Sequence, residues 1–586
     1  MKITVNGESV DAEPGQTVAA VLLTNGHSSW RTTRVEGRPR GVLCGIGACY
    51  DCLVVVNGTP DIRACQRTVR QDDAITTQQG AVLPSSTVVQ RAPATANRTA
   101  DVVVVGAGPA GMAAALAAGD AGASVVLIDS APAVGGQFNR QVAVRDERPE
   151  RFQHGWKRFV AKRDRLVAHQ RITHLAEASV WAFERGNRVW VQRGPADGVG
   201  REVFAVDAKA VVLATGAYDR VLPFPGWDLP GVYSAGAAQA LAKGQRVAVG
   251  KRVLVAGTGP FLLPVAESLV GVGAKVVALL EANSVKTVRQ GWATDPLVAK
   301  GKLSEALRYG VMLARHRIPL KHGWTVIAAH GEDHVEAVTI ARLDAGWKPI
   351  SGSERQVEVD AVCLGFGFTA QLELAVSARC GLTTGPDGGP AVTVDADQQT
   401  TTPGVFAAGE LTGIGGADLA AAEGRVAGTA AAHHALAAAT PDASAPLCAP
   451  LPHETASDVR TSCTKSADAA RTKVKEGRRF AAALAKAYPV RDGWQSWSGP
   501  DTVVCRCEEV TRGDIEGAVA ERGVADGRGL KLTSRAGLGL CQGRVCSRTV
   551  AAISSNGQND VPEPSMKRPI AVPVRLRDLA EAQEEL

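Results

Sequence analysis

The segment that most restricts the fold is DVVVVGAGPAGMAAALAAGDAGASVVLID, residues 101–129. Its valine run has no alternation of polar and apolar residues, as expected of a strand buried on both faces. A glycine turn, an alanine-rich helix and a second apolar strand ending in Asp129 follow. Together they make a complete βαβ unit, which commits the chain to a parallel sheet covered by helices and so to the α/β class. Gly106, Gly108 and Gly111 fall on the three positions of G-x-G-x-x-G, with Pro109 and Ala110 between the last two. The first glycine makes the tight turn, the second lets backbone approach a pyrophosphate, and the third lets helix pack on strand. The helix N-terminus then offers N–H groups and a positive dipole to the phosphates, and Asp129 stands where it can accept from ribose hydroxyls.

A second copy of the pattern runs over residues 251–281, KRVLVAGTGPFLLPVAESLVGVGAKVVALLE. Gly257 and Gly259 are kept, but Leu262 takes the third glycine's position and Pro264 follows in the first turns of the helix. A bulky residue there is expected to hold the helix away from the strand and alter the phosphate pocket. Glu281 ends the second strand and favours a 2′-hydroxyl over a 2′-phosphate. Two readings stay open for this unit: an exchanging nicotinamide dinucleotide (NAD), or another adenine nucleotide held tightly or in truncated form.

Three further stretches, GGQ (135–137), ATG (214–216) and GVFAAGE (404–410), resemble the recurring segments of the two-dinucleotide flavoprotein superfamily that includes glutathione reductase. The resemblance implies FAD on the first unit, with Gly136, Gln137, Thr215, Gly216, Gly409 and Glu410 around it. Glu410 stands where Asp is commoner. Arg140 and Gln141, just after GGQ, are read either as lining a flavin or interface or as plain surface. Thiol-disulfide reductases of that superfamily carry a redox cysteine pair beside the flavin, yet no cysteine lies between Cys65 and Cys363. Disulfide reduction is therefore not expected. Cys363, Cys380, Cys448 and Cys463 stand singly and read as buried or incidental thiols. No Ser-His-Asp set, metal-binding His motif or acid/base pair accompanies the flavin segments, so no catalytic residue is assigned. His433 and His434 read as a packed or solvated helix face.

Two sets of cysteines remain. Cys44, Cys49 and Cys52 follow C-x4-C-x2-C in GVLCGIGACYDCLVVVNG, and Cys65 comes thirteen residues later. This is the plant-type ferredoxin arrangement for a [2Fe–2S] cluster. Gly45 and Gly47 allow backbone N–H groups to turn inward toward sulfur. Cys505 and Cys507 in CRCEEVT, with Cys541 and Cys546 in CQGRVC, form the second set. It resembles the bacterioferritin-associated-ferredoxin (BFD) type of [2Fe–2S] domain, whose simplest members close with C-x2-C. Four thiolates accept zinc as well as iron, so zinc stays an alternative there. The cytosol keeps thiols reduced, and twelve cysteines in a chain with no N-terminal signal pattern favour ligation over disulfides.

The remaining composition excludes more than it selects. A net charge of +6 over 586 residues, with no block of like charge, gives no reason to expect nucleic-acid binding. Every apolar run is broken before the ~20 residues a membrane span needs. A cytoplasmic location is expected.

Taken together, GVLCGIGACYDCLV, GAGPAGMAAA with GGQFNRQ, GTGPFLLPVAESL, GELTGIGGADLAAAEGRVAG, and PDTVVCRCEEVT with CQGRVC resemble the electron-transfer subunits of bacterial heteromeric flavin amine dehydrogenases. Hydrogen cyanide synthase, opine oxidases and D-hydroxyproline dehydrogenase belong there, and more distantly the large subunit of heterotetrameric sarcosine oxidase. The ferredoxin-like domain, a separate small subunit in several relatives, is fused here. The implied fold is a glutathione-reductase-like α/β flavoprotein between two iron-sulfur domains. A β-grasp ferredoxin-like domain (1–82) and a linker (83–98) come first. An FAD-binding domain (99–222 and 361–435) then encloses a second nucleotide-binding domain (223–360). A connecting segment (436–500), a small helical BFD-like domain (501–550) and a tail (551–586) complete the chain. The resemblance further implies a separate FAD subunit of D-amino-acid-oxidase type that oxidises the substrate. Electrons would pass to this chain through an FMN at the subunit interface, FAD and two [2Fe–2S] clusters, the flavin lying between the cysteine quartets, and on to an acceptor. A self-sufficient NAD(P)H-dependent ferredoxin-type reductase and a structural nucleotide-binding subunit are the competing readings.

Overall fold

A computed structural model describes residues 1–83, 97–146, 148–437, 456–524, 526–555, 570–576 and 578–579, with side chains from 468 onward in the helix that starts at 456. Residues 84–96 of the expected linker (83–98) and Cys448 lie outside the described residues, as does the Cys463 side chain.

The N-terminal domain is a mixed five-stranded sheet. The hairpin Lys2–Val5/Glu8–Asp11 turns at Asn6 and Gly7, both at positive φ as a two-residue hairpin loop requires. Lys2–Val5 pairs in parallel with Ala74–Thr76, which continues antiparallel to Leu53–Val56 and on to Thr59–Arg63. Helix Val18–Thr24, capped by Thr17, lies across it with Val18 to Leu22 buried, which completes a β-grasp.

In the first nucleotide unit, strand Arg98–Val105 is central. Val125–Ile128 and Glu202–Leu213 flank it in parallel, and Val405–Ala407 pairs with Glu202–Leu213. Val102 to Val105 are all buried, as the unalternating run requires. Helices Pro109–Asp120 and Ala417–Ala437 pack on one another beside this sheet.

The second unit is an all-parallel sheet in the order Val232–Ser234, Ala361–Gly365, Arg252–Gly257, Lys275–Glu281, Leu320–His322. Strand Ala361–Gly365 thus belongs to the second unit, correcting the expected return to the first at 361. It pairs with Val232–Ser234 on one side and Arg252–Gly257 on the other with all its residues buried, and only a glycine-containing stretch after it leads back. The actual crossing is an antiparallel pair, Ala217–Asp219 with Phe368–Ala370.

The connecting stretch holds helix Ala456–Ala487. The C-terminal domain is a short hairpin, Val503–Cys505/Val510–Thr511, with helices Arg512–Arg522, Gly527–Ser534 and Ser547–Ser554. The first of these opens with a capping box between Thr511 and Asp514. This domain shares one core with the second nucleotide unit, in which Trp227, Trp347, Trp494 and Trp497 are buried. Trp347 and Trp497 stack at 6.0 Å. Past the last helix, Ile570 bridges to Ala182, and Ala571 joins the core of the first unit. Among the described residues no helix is long and apolar enough to cross a membrane.

Candidate functional site

In the first glycine loop, Gly106 and Gly111 leave no room for any other residue. A Cβ on Gly111 would come within 1.6 Å of the Gly106 carbonyl oxygen, and one on Gly106 within 2.3 Å of the Ala214 carbonyl. The helix begins at Pro109 directly after Gly108, so its free N–H groups face outward. They face a cavity of 2520 Å³ whose wall includes Gly106, Gly108, Pro109, Ala110, Asp129, Gly136, Gln137, Thr215, Gly216, Gly409 and Glu410. The structure thus brings the sequence-derived residues of this unit to one cavity, apart from Gly111, which is spent on helix–strand contact. Gly136, at φ +60°, passes so near Gly108 that a Cβ on it would come within 2.8 Å of the Gly108 Cα. Asp129 accepts from the Ala107 N–H (2.5 Å) and the Ala131 N–H (2.7 Å), and burial raises its pKa. Glu410 accepts from the Gly416 N–H (2.9 Å), burial pushes its pKa up to about 7, and its Oε2 is buried without a partner. An orphaned acceptor on a cavity wall calls for a ligand donor, as the hydroxyls of a flavin side chain provide. The donor set and the glycine approaches therefore fit FAD.

Glu423 went unnoticed in the sequence. It is 1% exposed and accepts from the Gly409 N–H (3.0 Å), the Thr412 hydroxyl (2.7 Å) and Arg478 (3.3 Å), so it holds the loop that carries Glu410. Only its position on an alanine-rich helix face could have marked it. Asp219, another omission, also lines the cavity. Its carboxylate accepts from the Ser234 hydroxyl and the Gly236 N–H, and burial raises its pKa to about 6. Arg140 lines the same cavity and donates to Gln137, while Gln141 donates to the Val134 carbonyl at 2.8 Å.

The second glycine loop is built differently. Its helix starts at Leu262, and Leu262 is buried in the core. Gly365 on the neighbouring strand makes room, since a Cβ there would stand 3.2 Å from Leu262 Cδ2. A Cβ on Gly257 would come within 1.8 Å of the Gly365 carbonyl oxygen, closer than the corresponding approach of Gly106, while Gly259 is open. Glu281 accepts from Thr258 Oγ1 (2.7 Å), Gly259 N–H (2.8 Å) and Asn283 N–H (2.8 Å). Burial raises it to about 7. At 3% exposure it serves the loop's own geometry first, and a ribose would have to share it.

The cysteines gather as two sets. In the first, Cys44 Sγ accepts from the N–H groups of Ala48 (3.3 Å) and Cys49 (3.4 Å), and Cys49 Sγ from that of Asp51 (3.5 Å). Gly45 and Gly47 have φ of +62° and +75°, which turns the loop around the sulfurs. Hydrogen bonds from Cys49 and Cys65 hold Cys44 well below the ordinary thiol range. In the second set, Cys507 Sγ lies 3.8 Å from Cys505 and 3.6 Å from Cys541, and Cys507 and Cys546 hold Cys505 down. A Cβ on Gly539 would strike Cys507 Sγ at 2.5 Å. Among the described residues no three His, Cys, Asp or Glu side chains converge on a single-ion site. Each thiol instead adjoins one or two others of its set in a chain, and a two-iron cluster spreads four thiolates over two irons in the same way. Inward N–H donors and adjoining thiols fit that group. Cys363 and Cys380 stand apart and buried, with burial raising both thiols. His434 is exposed and lies edge-on to Phe406.

The two sets adjoin. Cys65 shares the wall of the large cavity, and Cys49 faces Cys505, Cys507, Cys541 and Cys546 across a void of 10 Å³. The flavin pocket therefore stands at one end, next to the first set, rather than between the quartets as expected. The sequence order of the domains concealed this, because the two terminal domains both pack on the nucleotide units and touch each other, Thr33 Oγ1 donating to Glu509 Oε1 at 2.6 Å. Arg63 pairs with Asp197 at 2.7 Å, and Ser234 N–H donates to the Leu43 carbonyl at 2.9 Å. From the second set's loop, Arg544 reaches Tyr218 (2.9 Å) and Glu373 (2.8 Å) on the cavity side.

Comparison with known proteins matches residues 100–438 to the family described as pyridine nucleotide-disulphide oxidoreductase. Residues 1–80 match a 2Fe-2S iron-sulfur cluster binding domain, and residues 503–554 a BFD-like [2Fe-2S] binding domain. The chain is 32% identical to an opine oxidase subunit of Agrobacterium tumefaciens (strain Ach5), across 82% of this chain and 91% of that protein. It is 33% identical to the hydrogen cyanide synthase subunit HcnB of Pseudomonas aeruginosa, across 76% and 90%. The alpha subunit of sarcosine oxidase from Corynebacterium sp. (strain U-96) matches at 29% over 64% of this chain and 38% of its own length. Among solved structures, L-proline dehydrogenase from P. horikoshii superposes with a TM-score of 0.66, at 20% identity over 99% of this chain and 97% of that one, a likeness of fold.

Proposed function

Since the chain belongs to the pyridine nucleotide-disulphide oxidoreductase family and is a homologue of an opine oxidase subunit, we propose that it is the cytoplasmic electron-transfer subunit of a heteromeric amine or imino-acid dehydrogenase. Its homologues are subunits of flavin oxidoreductases, and both terminal domains match [2Fe–2S] families. The finer reading is a division of labour. A partner FAD subunit of D-amino-acid-oxidase type oxidises the CH–NH bond of the substrate, and this chain accepts the electrons. An FMN at the shared interface and an adenine nucleotide on the Gly257/Gly259 loop belong to the same reading.

The observation that carries it is the shared wall: Cys65 of the first thiol set borders the cavity that also holds the Gly106–Gly111 loop and Glu410. FAD there would supply a carrier that takes up electrons in pairs and releases them singly, as a two-iron centre requires. The chain's own residues do the rest. Gly106 and Gly108 with the helix N-terminus bind the pyrophosphate, and Asp129 and Glu410 receive hydroxyl donors. Glu423 holds the Gly409 turn in place. Cys44, Cys49, Cys52 and Cys65 would hold one cluster, and Cys505, Cys507, Cys541 and Cys546 the other.

Affinity capture of the chain from its native host, with mass analysis of bound proteins and extracted cofactors, tests the division of labour. An oxidase-like FAD protein should co-purify, and the chain alone should lack amine-dye reductase activity. Such activity in the isolated chain would contradict the proposal. Rapid bleaching of its flavin by NADH would favour a self-sufficient reductase.

A further inference from the structure

Each thiol set carries a charged side chain between two closely spaced cysteines, and the two side chains meet. Asp51 lies between Cys49 and Cys52, and Arg506 between Cys505 and Cys507. Arg506 Nε donates to Asp51 Oδ2 at 2.7 Å, with the side chains 5% and 2% exposed. The guanidinium also donates to the Trp227 carbonyl at 2.6 Å and lies over the Trp227 ring, 4.9 Å from its centroid. On the other side, Arg31 clamps the Asp51 loop through the Tyr50 carbonyl at 2.6 Å. The void that the two residues share with Cys49, Cys505, Cys507, Cys541 and Cys546 has room for no more than about one water.

We propose that the Asp51–Arg506 ion pair is the positioning element between the two cages: it fixes their separation and, while intact, keeps either charge from biasing electron uptake at the cages. The proposal rests on the reading of both sets as [2Fe–2S] ligands. Its physical ground is the poor return of a buried ion pair as glue. Desolvating both charges roughly cancels their attraction, and an apolar pair of similar volume would hold the domains as well. What an apolar pair lacks is fixed register, which Arg506 gains by donating both to Asp51 and to the Trp227 carbonyl. In a dry, low-dielectric gap charges act strongly on their neighbours, and the potential of an iron-sulfur centre follows local charge and hydrogen bonding. A carboxylate beside a cage opposes an added electron, and a guanidinium favours one. Paired at 2.7 Å they offset one another, so loss of one member exposes the other. Arg40, 1% exposed, lies in the same region with its own partner, Asp228, at 3.2 Å, so it leaves the Asp51–Arg506 pairing in place.

The test is redox potentiometry of the full-length chain, followed by electron paramagnetic resonance. In Asp51→Asn the guanidinium loses its counter-charge, so at least one of the two midpoint potentials should move upward. The double variant Asp51→Asn/Arg506→Gln should bring it back toward the wild-type value. If both clusters assemble and neither potential moves in Asp51→Asn, the inference fails while the reading of the cages stands. If the shift persists in the double variant, it came from altered packing and the inference also fails. The unaltered chain provides a check that needs no substitution. With both centres reduced, cages held side by side should give broadened, fast-relaxing signals. Two independent, slowly relaxing signals would overturn the proposal, and absence of iron would overturn the reading beneath it.

Discussion

Gly424 lies so close to Ala110 that a Cβ on it would stand 2.0 Å from the Ala110 carbonyl oxygen. One turn later Gly428 approaches the Ala114 carbonyl in the same way, at 2.1 Å. Helix Ala417–Ala437 thus rests backbone to backbone on helix Pro109–Asp120, whose N-terminus faces the cavity. Gly424→Ala must drive the two helices apart, an overpacking that costs about 1–3 kcal/mol. The expected outcome is a lower melting temperature and less flavin per chain, read by calorimetry and by absorbance of extracted flavin. An unchanged flavin content would mean that the helix N-terminus does not depend on this contact.

The thiol sets assemble from separate segments, so each should be lost separately. Cys52→Ser and Cys541→Ser are each expected to remove half of the bound iron and leave flavin content unaltered. Metal analysis with visible circular dichroism reads this directly. Loss of all iron from either variant would show that the cages do not form independently.

Glu281 carries the pH dependence of the second unit. Its carboxyl is raised from 4.5 to about 7, chiefly by burial, so the folded chain holds a proton that the unfolded chain has released. Its stabilising contribution is complete below about pH 4.5 and is lost as pH rises through 7. The change is on the order of 3 kcal/mol. Melting temperature should therefore step downward between about pH 5 and 8, and Glu281→Gln should flatten that step. Gln is expected to lower the melting temperature at about pH 5, since its amide nitrogen cannot accept from Gly259 or Asn283. A step of equal size in the variant would assign the proton elsewhere.

Arg63 couples the first cage to the flavin side. It forks onto Asp197 at 2.8 and 2.7 Å and also donates to the Gly47 carbonyl at 2.7 Å inside the cysteine loop. Removing one partner of such a buried pair costs about 3–5 kcal/mol. Asp197→Ala should loosen the N-terminal domain, seen as faster proteolytic release of an N-terminal fragment and slower reduction of the first cage by reduced flavin. Unchanged proteolysis would place the docking energy in other contacts, such as Ser234 to Leu43.

The parts legible in the sequence were those that short segments determine by themselves. The valine run, the two glycine turns and the closely spaced cysteines each impose a local geometry whatever surrounds them. Contacts between distant segments were hidden. Asp51 and Arg506 stand 455 positions apart and lie among ligands that draw attention first. Glu423 sits on a helix that reads as plain alanine packing, and its role appears only when the Gly409 turn folds over it. Leu262 looked like an obstacle because the sequence does not reveal that Gly365 faces it. Strand Ala361–Gly365 was misplaced for a related reason, since an apolar strand followed by glycine fits either sheet until its neighbours are known.

On the proposed reading, flavin pocket, first cage and second cage form one contiguous relay in a single chain. Cofactor analysis of the anaerobically purified protein, with paramagnetic resonance during stepwise reduction, tests it most directly. Extractable FAD and two distinct [2Fe–2S] signals are expected. A colourless chain with zinc at both thiol sets and no flavin would contradict it.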